Sequence, residues 1–330
     1  MELKIVIIYE RPGVRTLRRV PLASLAAGLA IVVLTSCASS QDGPSGAAPS
    51  TAAPSPASSS ARVSVVASTN VYGDIVSQIG GDRVDVVSII SDPSQDPHSF
   101  EANAQTQLRL STAKVIVENG GGYDDFVDTM LKASGNPGAQ VLNAVTVSGK
   151  TAEPGAELNE HIWYDIPSVG KLADQLAAAL SKADAAGASQ FTANASAFKT
   201  KLQVLEKEEA EVAATAKGEG VAITEPVPLY LLDACGLVNR TPAKFSEAIE
   251  AGDDIPPRVL QETLTLLTGK RVAALVYNEQ TAGPETEKVK QAAEQSDVAV
   301  VPVTETLPSG KDYIGWMTDN IAAVRAAVSR

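Results

Sequence analysis

Histidine is nearly absent from this chain. Two of its 330 residues carry an imidazole, His98 and His161, and no HExxH pair occurs, which removes the helical zinc-hydrolase signature. Cysteine is equally scarce: Cys37 and Cys235 allow at most one disulfide, so no disulfide framework holds the fold. Basic residues are in deficit, 27 Lys and Arg against 39 Asp and Glu, for a net charge of -12. That balance argues against nucleic acid as a partner, because phosphate binding needs clustered Lys and Arg. An acidic soluble surface accounts for the imbalance. Past residue 34 no apolar run is long enough for a helical membrane span of about 20 residues. The apolar share of 44% is ordinary for a chain that buries a core, and the length suits roughly two domains.

What is present begins with a secretory pattern. Arg11, Arg15, Arg18 and Arg19 precede the apolar run 20-VPLASLAAGLAIVVL-34, followed by 34-LTSC-37. A basic stretch, a short apolar core and small residues predict a signal peptide over 1–36. The end of this segment resembles a bacterial lipobox, which implies that Cys37 becomes the first mature residue and carries a lipid; a plain signal with an incidental Cys is the alternative. Residues 1–10 are an unusual preface, and a start nearer Val14 is a second alternative. Residues 37–61 are Ser, Ala, Pro and Gly with a single charge, which predicts a disordered tether. A lipid, a tether and a globular body in that order place the body outside the cytoplasmic membrane, anchored to it. With Cys37 lipidated no intramolecular disulfide remains. Cys235, in the apolar helical pattern 229-LYLLDACGL-237, reads as a buried small hydrophobe.

In the mature body strand-like runs alternate with helical stretches. Strands are expected at 62–69, 84–90, 114–120, 219–225, 271–278 and 297–303, with helical spacing between them. This alternation predicts an α/β fold with mostly parallel sheets flanked by helices. The segment 187–216 reads as one helix with Phe191, Phe198, Leu202 and Leu205 near one face. At ~1.5 Å per residue it would run ~45 Å, long enough to span two lobes. The expected division is an N-terminal lobe 62–186, the linking helix 187–216 and a C-terminal lobe 217–330.

Three metal-type ligands fall at strand ends or in the loops after them. His98 lies in 92-DPSQDPHSFE-101, His161 in 159-NEHIWYDI-166, and Glu225 closes 219-EGVAITE-225. Open α/β sheets bind ligands outside the carboxyl ends of their strands, so the three are candidates to converge on one cleft. Imidazole nitrogen and carboxylate oxygen suit zinc and related divalent ions. Against this, a single loop histidine is more commonly a surface or capping residue. Trp163 and Tyr164 either wall the pocket or are ordinary core aromatics. Asp165 either orients an imidazole or caps the helix after it. Asp253 and Asp254 read as loop and helix-start residues.

The stretches 67-ASTNVYGDIVSQIGGDRVDVVSII-90, 96-DPHSFE-101, 118-ENGGGYDDFVDTML-131 and 159-NEHIWYDIPSVGKLADQL-176 carry a resemblance to a known family. From about Arg62 to the C-terminus the chain resembles the bacterial solute-binding lipoproteins of ABC importers for zinc and manganese, cluster A-I type. The resemblance implies two α/β lobes, an interlobe metal site, a monomer, an ABC permease as partner and no catalysis or catalytic cofactor. It implies that His98 and His161 bind the metal and that Glu225 is the third ligand, a Glu there resembling the manganese branch and an all-histidine set the zinc branch. The manganese-type fourth ligand, an Asp after a late strand, has no match in 277-YNEQTAGPE-285, where Thr281 or Ala282 stands; Asn278, Glu279, Gln280 or a water are the candidates. The segment 144–160 lacks the His-rich loop of many zinc members. The closing segment 303-VTETLPSGKDYIGWM-317 resembles that of one subgroup and is expected to pack. Rival readings are the same fold binding a metal chelate or organic solute, a cell-envelope metal-dependent hydrolase, and a surface adhesin.

Overall fold

The structure, a computed structural model, describes residues 61–93, 95, 100–152 and 157–329. The signal segment, Cys37, nearly all of the tether and His98 lie outside the described residues.

The first half runs β1 (Val63–Thr69), α1 (Asn70–Gly80), β2 (Val84–Ile90), α2 (Ala104–Thr112), β3 (Val115–Glu118), α3 (Asp125–Ser134), β4 (Gln140–Asn143), α4 (Ala144–Ser148) and α5 (Ile166–Ala183). The long helix α6 spans Ala188–Ala216. The second half runs β5 (Gly220–Ile223), α7 (Leu229–Ala234), β6 (Val238–Asn239), α8 (Ala243–Glu250), α9 (Pro257–Thr268), β7 (Ala274–Asn278), α10 (Pro284–Gln295), β8 (Ala299–Val303) and α11 (Tyr313–Val328). Each half holds a four-stranded sheet, ordered β2-β1-β3-β4 and β6-β5-β7-β8, and every strand pair is parallel.

Parallel strands joined by helices must bury both faces, and the residues divide accordingly. Along β1, Val65 and Ala67 enter the main core while Val66 faces a smaller cluster with Leu110, Ile116 and Val127. Along β7, Ala274 and Val276 enter the main core while Leu275 and Tyr277 face a cluster with Phe245, Leu267 and Val289. The period-two alternation therefore assigns each sheet an inner and an outer face. The inner faces of both sheets share one continuous core with α1, α5, α6 and α11. Phe191, Phe198, Leu202, Leu205 and Val212 form the buried stripe of α6 that joins the two halves.

β4 and β6 lack a counterpart in the sequence reading. Both are edge strands of four and two residues, with half-buried or exposed side chains, and carry little alternation. Cys235 is fully buried, and burial pushes its thiol up to about 12, in accord with an inert apolar role.

Candidate metal centre

The site lies at the carboxyl ends of β5, β7 and β8, facing the segment that precedes α5. Glu225 follows β5 by two residues, Asn278 ends β7, and Glu305 follows β8 by two residues. Each of these side chains is 1% exposed. His161, fully buried, stands immediately before the 3-10 turn Ile162–Tyr164.

One amide organises the two carboxylates. The Asn278 Nδ2 group donates to Glu225 Oε2 at 2.5 Å and to Glu305 Oε1 at 2.8 Å. The Thr281 hydroxyl also donates to Glu225 Oε2, at 2.5 Å, and the backbone N–H of Asn278 donates to Thr224 Oγ1. Glu305 Oε2 lies 4.0 Å from His161 Nε2. Two buried carboxylates side by side, next to an imidazole, are costly to hold without positive charge and form a natural cation seat.

The backbone around Glu305 is held from several sides. Gln280 Oε1 accepts the N–H groups of Glu305 and Thr306 at 2.5 and 3.2 Å. Tyr164 donates to the Thr304 carbonyl at 2.8 Å. Asn70 exchanges two hydrogen bonds with the Leu307 backbone, at 2.9 and 2.8 Å. Residues that close the second half are thus bound to the first half at the start of α1 and at the turn before α5. The stretch ahead of His98 is tied to the same segment: Gln280 Nε2 donates to the Gln95 carbonyl, and Thr306 Oγ1 donates to the Pro93 carbonyl.

Aromatic rings wall the imidazole. The Trp163 and Tyr123 ring centroids lie 5.1 and 6.1 Å from that of His161, both edge-on. Tyr123 is buried, and desolvation, reinforced by the negative charge of Glu305, pushes its phenol well above the ordinary range. It stays protonated and hydrogen-bonds to Glu305. Its position follows from 118-ENGGGYD-124, where Asp124 accepts the N–H groups of Asn119 and Gly120 at 2.6 and 2.7 Å. Gly120 has φ +77°, and a Cβ there would fall 2.1 Å from the Asn143 amide, so the turn admits only glycine.

A second set of donors lies on the other side of the ring. Glu160, His161 and Glu250 offer donor atoms all within 4.8 Å of one another, with His161 Nδ1 3.8 Å from Glu250 Oε1. Glu160 and Glu250 also line a cavity of about 430 Å³ together with Glu157 and Glu247. His161 Nδ1, however, lies 2.7 Å from Asn159 Oδ1. The nitrogen facing Glu250 is therefore already engaged, and the Nε2 side is the better place for an ion.

Among the sequence-designated residues, the structure brings His161 and Glu225 to one site. Asn278 is at that site too, but it directs its amide nitrogen at the two carboxylates, so it positions them and is no metal donor in this orientation. The Gln280 amide is spent on the 305–306 backbone, on Thr306 and on Gln95, and Glu279 is exposed. Asp165 is a helix cap: it accepts from the Ser168 N–H and hydroxyl and pairs with Lys150 at 3.1 Å. Sequence reasoning missed Glu305, although the carboxyl-end rule that selected Glu225 applies equally to 299-AVVPVTE-305.

Comparison with known proteins shows the family of the chain. The sequence profile of the family described as ZnuA, zinc-uptake complex component A, periplasmic, matches residues 65–327. The manganese-binding lipoprotein MntA of Bacillus subtilis (strain 168) is 26% identical over 223 residues, covering 66% of this chain and 71% of that protein. A putative metal-binding protein of Treponema pallidum (strain Nichols) is 28% identical over 162 residues; the match covers 44% of this chain and about half of the relative, 51%. The Pseudomonas aeruginosa solute-binding protein FpvC, solved in complex with Mn2+, superimposes with a TM-score of 0.68 at 24% identity, covering 81% of this chain and 98% of FpvC. Since the family profile spans most of the length, this chain belongs to the ZnuA family of periplasmic zinc-uptake components.

Proposed function

We propose that this chain is an extracytoplasmic receptor that captures one divalent transition metal ion, zinc or manganese, between its two halves and delivers it to the permease of an ABC importer. The metal is cargo, and the protein is a substrate-binding component, not an enzyme. The observation that carries the reading is the convergence of His161 with two buried carboxylates, Glu225 and Glu305, through the Asn278 amide. In this reading His161 Nε2, Glu225 and Glu305 are donors. His98 is the fourth, supported by the ties from Gln280 and Thr306 to residues 93 and 95 just ahead of it. Glu305 thereby takes the place sought in Asn278, Glu279 or Gln280. Carboxylates are harder donors than imidazoles, so two of each moves the preference toward manganese relative to an all-imidazole set. The arrangement suits capture because the three described donors, His161, Glu225 and Glu305, are buried and held by hydrogen bonds to their neighbours. We further propose that the chain acts as a monomer anchored by a lipid on Cys37. Among the described residues no helix is long and apolar enough to cross a membrane.

Calorimetric titration of the chelator-stripped protein tests this. Zinc or manganese is expected to bind one to one, and His161→Ala and Glu305→Ala are each expected to weaken binding by about 100-fold or more, since each removes a proposed ligand and changes to the groups that merely support a metal ligand already cost about 10–100-fold. Unchanged affinity in both variants would refute the site. Failure of the stripped parent to bind either ion would leave a chelate or organic solute as the cargo.

A further inference from the structure

Asn159 touches both halves of the cleft at once. Its Oδ1 accepts the backbone N–H of His161 at 3.1 Å and lies 2.7 Å from the ring Nδ1. Its Nδ2 crosses to the second half and donates to the carbonyl of Pro226, the residue after Glu225, at 3.1 Å. In return, the Tyr230 hydroxyl of α7 donates to the Asn159 carbonyl at 2.7 Å. Burial and the nearby charges of Asp165, Glu160 and Asp233 push the Tyr230 phenol up to about 12, so it remains a donor at neutral pH. The Lys150 ammonium sits 4.3 Å above the centre of its ring and holds the ring in place.

The orientation of the Asn159 amide follows from its neighbours. Turned over, its NH2 group would face the His161 N–H and its oxygen would face the Pro226 carbonyl, two repulsions in place of two hydrogen bonds. With Oδ1 toward His161, ring Nδ1 carries the proton and Nε2 carries the lone pair. That lone pair is on the nitrogen that lies 4.0 Å from Glu305.

We propose that Asn159 is a positioning residue for metal capture: it fixes the His161 tautomer with Nε2 toward the cleft and, through Pro226 and Tyr230, latches the Glu225 segment of the second half onto the His161 segment of the first. The proposal rests on the reading that His161 and Glu225 are metal donors. One side chain then sets the protonation pattern of a first-half donor and the placement of a second-half donor, so its loss acts on retention of the ion more than on its arrival. Tyr230 has a share in the second role only.

The test is stopped-flow association and dissociation of manganese and zinc on the full chain, for the parent, Asn159→Ala, Asn159→Asp, Tyr230→Phe and His161→Ala, with the apo melting temperature of each. Asn159→Ala is expected to lower affinity by about 10–100-fold, the usual cost of removing a group that orients a metal-bound histidine, chiefly through faster release. Asn159→Asp keeps the acceptor for Nδ1 and is expected to recover part of the loss. Tyr230→Phe, which leaves the His161 contact intact and removes one hydroxyl from the surface of a helix, is expected to quicken release by a smaller factor with apo melting unchanged. Parent-like release in both Asn159→Ala and Tyr230→Phe, alongside abolished binding in His161→Ala, would overturn the latch and leave the metal site standing. Parent-like binding in His161→Ala would overturn the site reading and the latch with it. Should Asn159→Ala fail to fold, Tyr230→Phe alone decides: unchanged release overturns the latch.

Discussion

Glu209 shows how a single buried charge can set the pH response of this fold. It lies on the buried stripe of α6 at 4% exposure, and desolvation, aided by the charges of Glu206 and Asp165, pushes its carboxyl from 4.5 up to about 8. A raised carboxyl pKa means that the folded state binds the proton more tightly than the unfolded chain does. Its contribution is therefore fully present below about 4.5 and is lost as pH rises through about 8. Glu209→Gln is expected to raise the melting temperature near pH 9 and leave it nearly unchanged near pH 4, as scanning calorimetry at the two pH values can check. An equal response at both would show that folding does not raise the pKa of Glu209. At the same scale, His161 was legible as a candidate because histidine is rare in this chain, and Glu225 because it closes an expected strand at the place where the family resemblance puts a ligand. Glu305 was not, because one glutamate among 39 acidic residues carries no mark until Gln280, Asn278 and Asn70 fix the backbone and carboxylate beside it.

Whole elements were legible where their pattern was long. The central strands β1, β3, β5 and β7 and the helix α6 follow from apolar alternation and from helical spacing. The edge strands β4 and β6 did not, being short and half exposed, and α8 was likewise missed because few of its residues are buried. The closing segment 304–307 illustrates a function that no periodicity reveals. Its expected role was packing, yet it carries a carboxylate to the site and is bound to the first half by the Asn70 amide. Asn70→Ala removes both partners of the Leu307 backbone, and buried backbone groups without partners are expensive. The loss is expected to be about 2 kcal/mol in urea unfolding, with weaker metal binding because Glu305 loses its mooring. Unaltered stability would mean that water replaces the amide.

At the scale of the molecule, the two halves are one body. The inner faces of both sheets and α1, α5, α6 and α11 share a continuous core, so the cleft is built on packed walls that hold the proposed donors His161, Glu225 and Glu305 in place. Binding to a pre-built site stabilises the folded state by mass action. Zinc or manganese at about 1,000 times its dissociation constant is expected to raise the melting temperature by about 10 °C, and by far less in Glu305→Ala. The general architecture, two lobes joined by a long helix, was legible because alternating strands and helices leave few solutions for a parallel sheet; the particular bonds that tie the halves together were not, because they join residues more than 200 positions apart, such as Asn70 with Leu307. The most direct test of the whole account is an anomalous diffraction map of the crystallised protein soaked with zinc. The account predicts one peak within about 2.0–2.2 Å of His161 Nε2 and of oxygens of Glu225 and Glu305. A peak on the Nδ1 side of the ring, between Glu160 and Glu250, or at a site apart from His161, would contradict it.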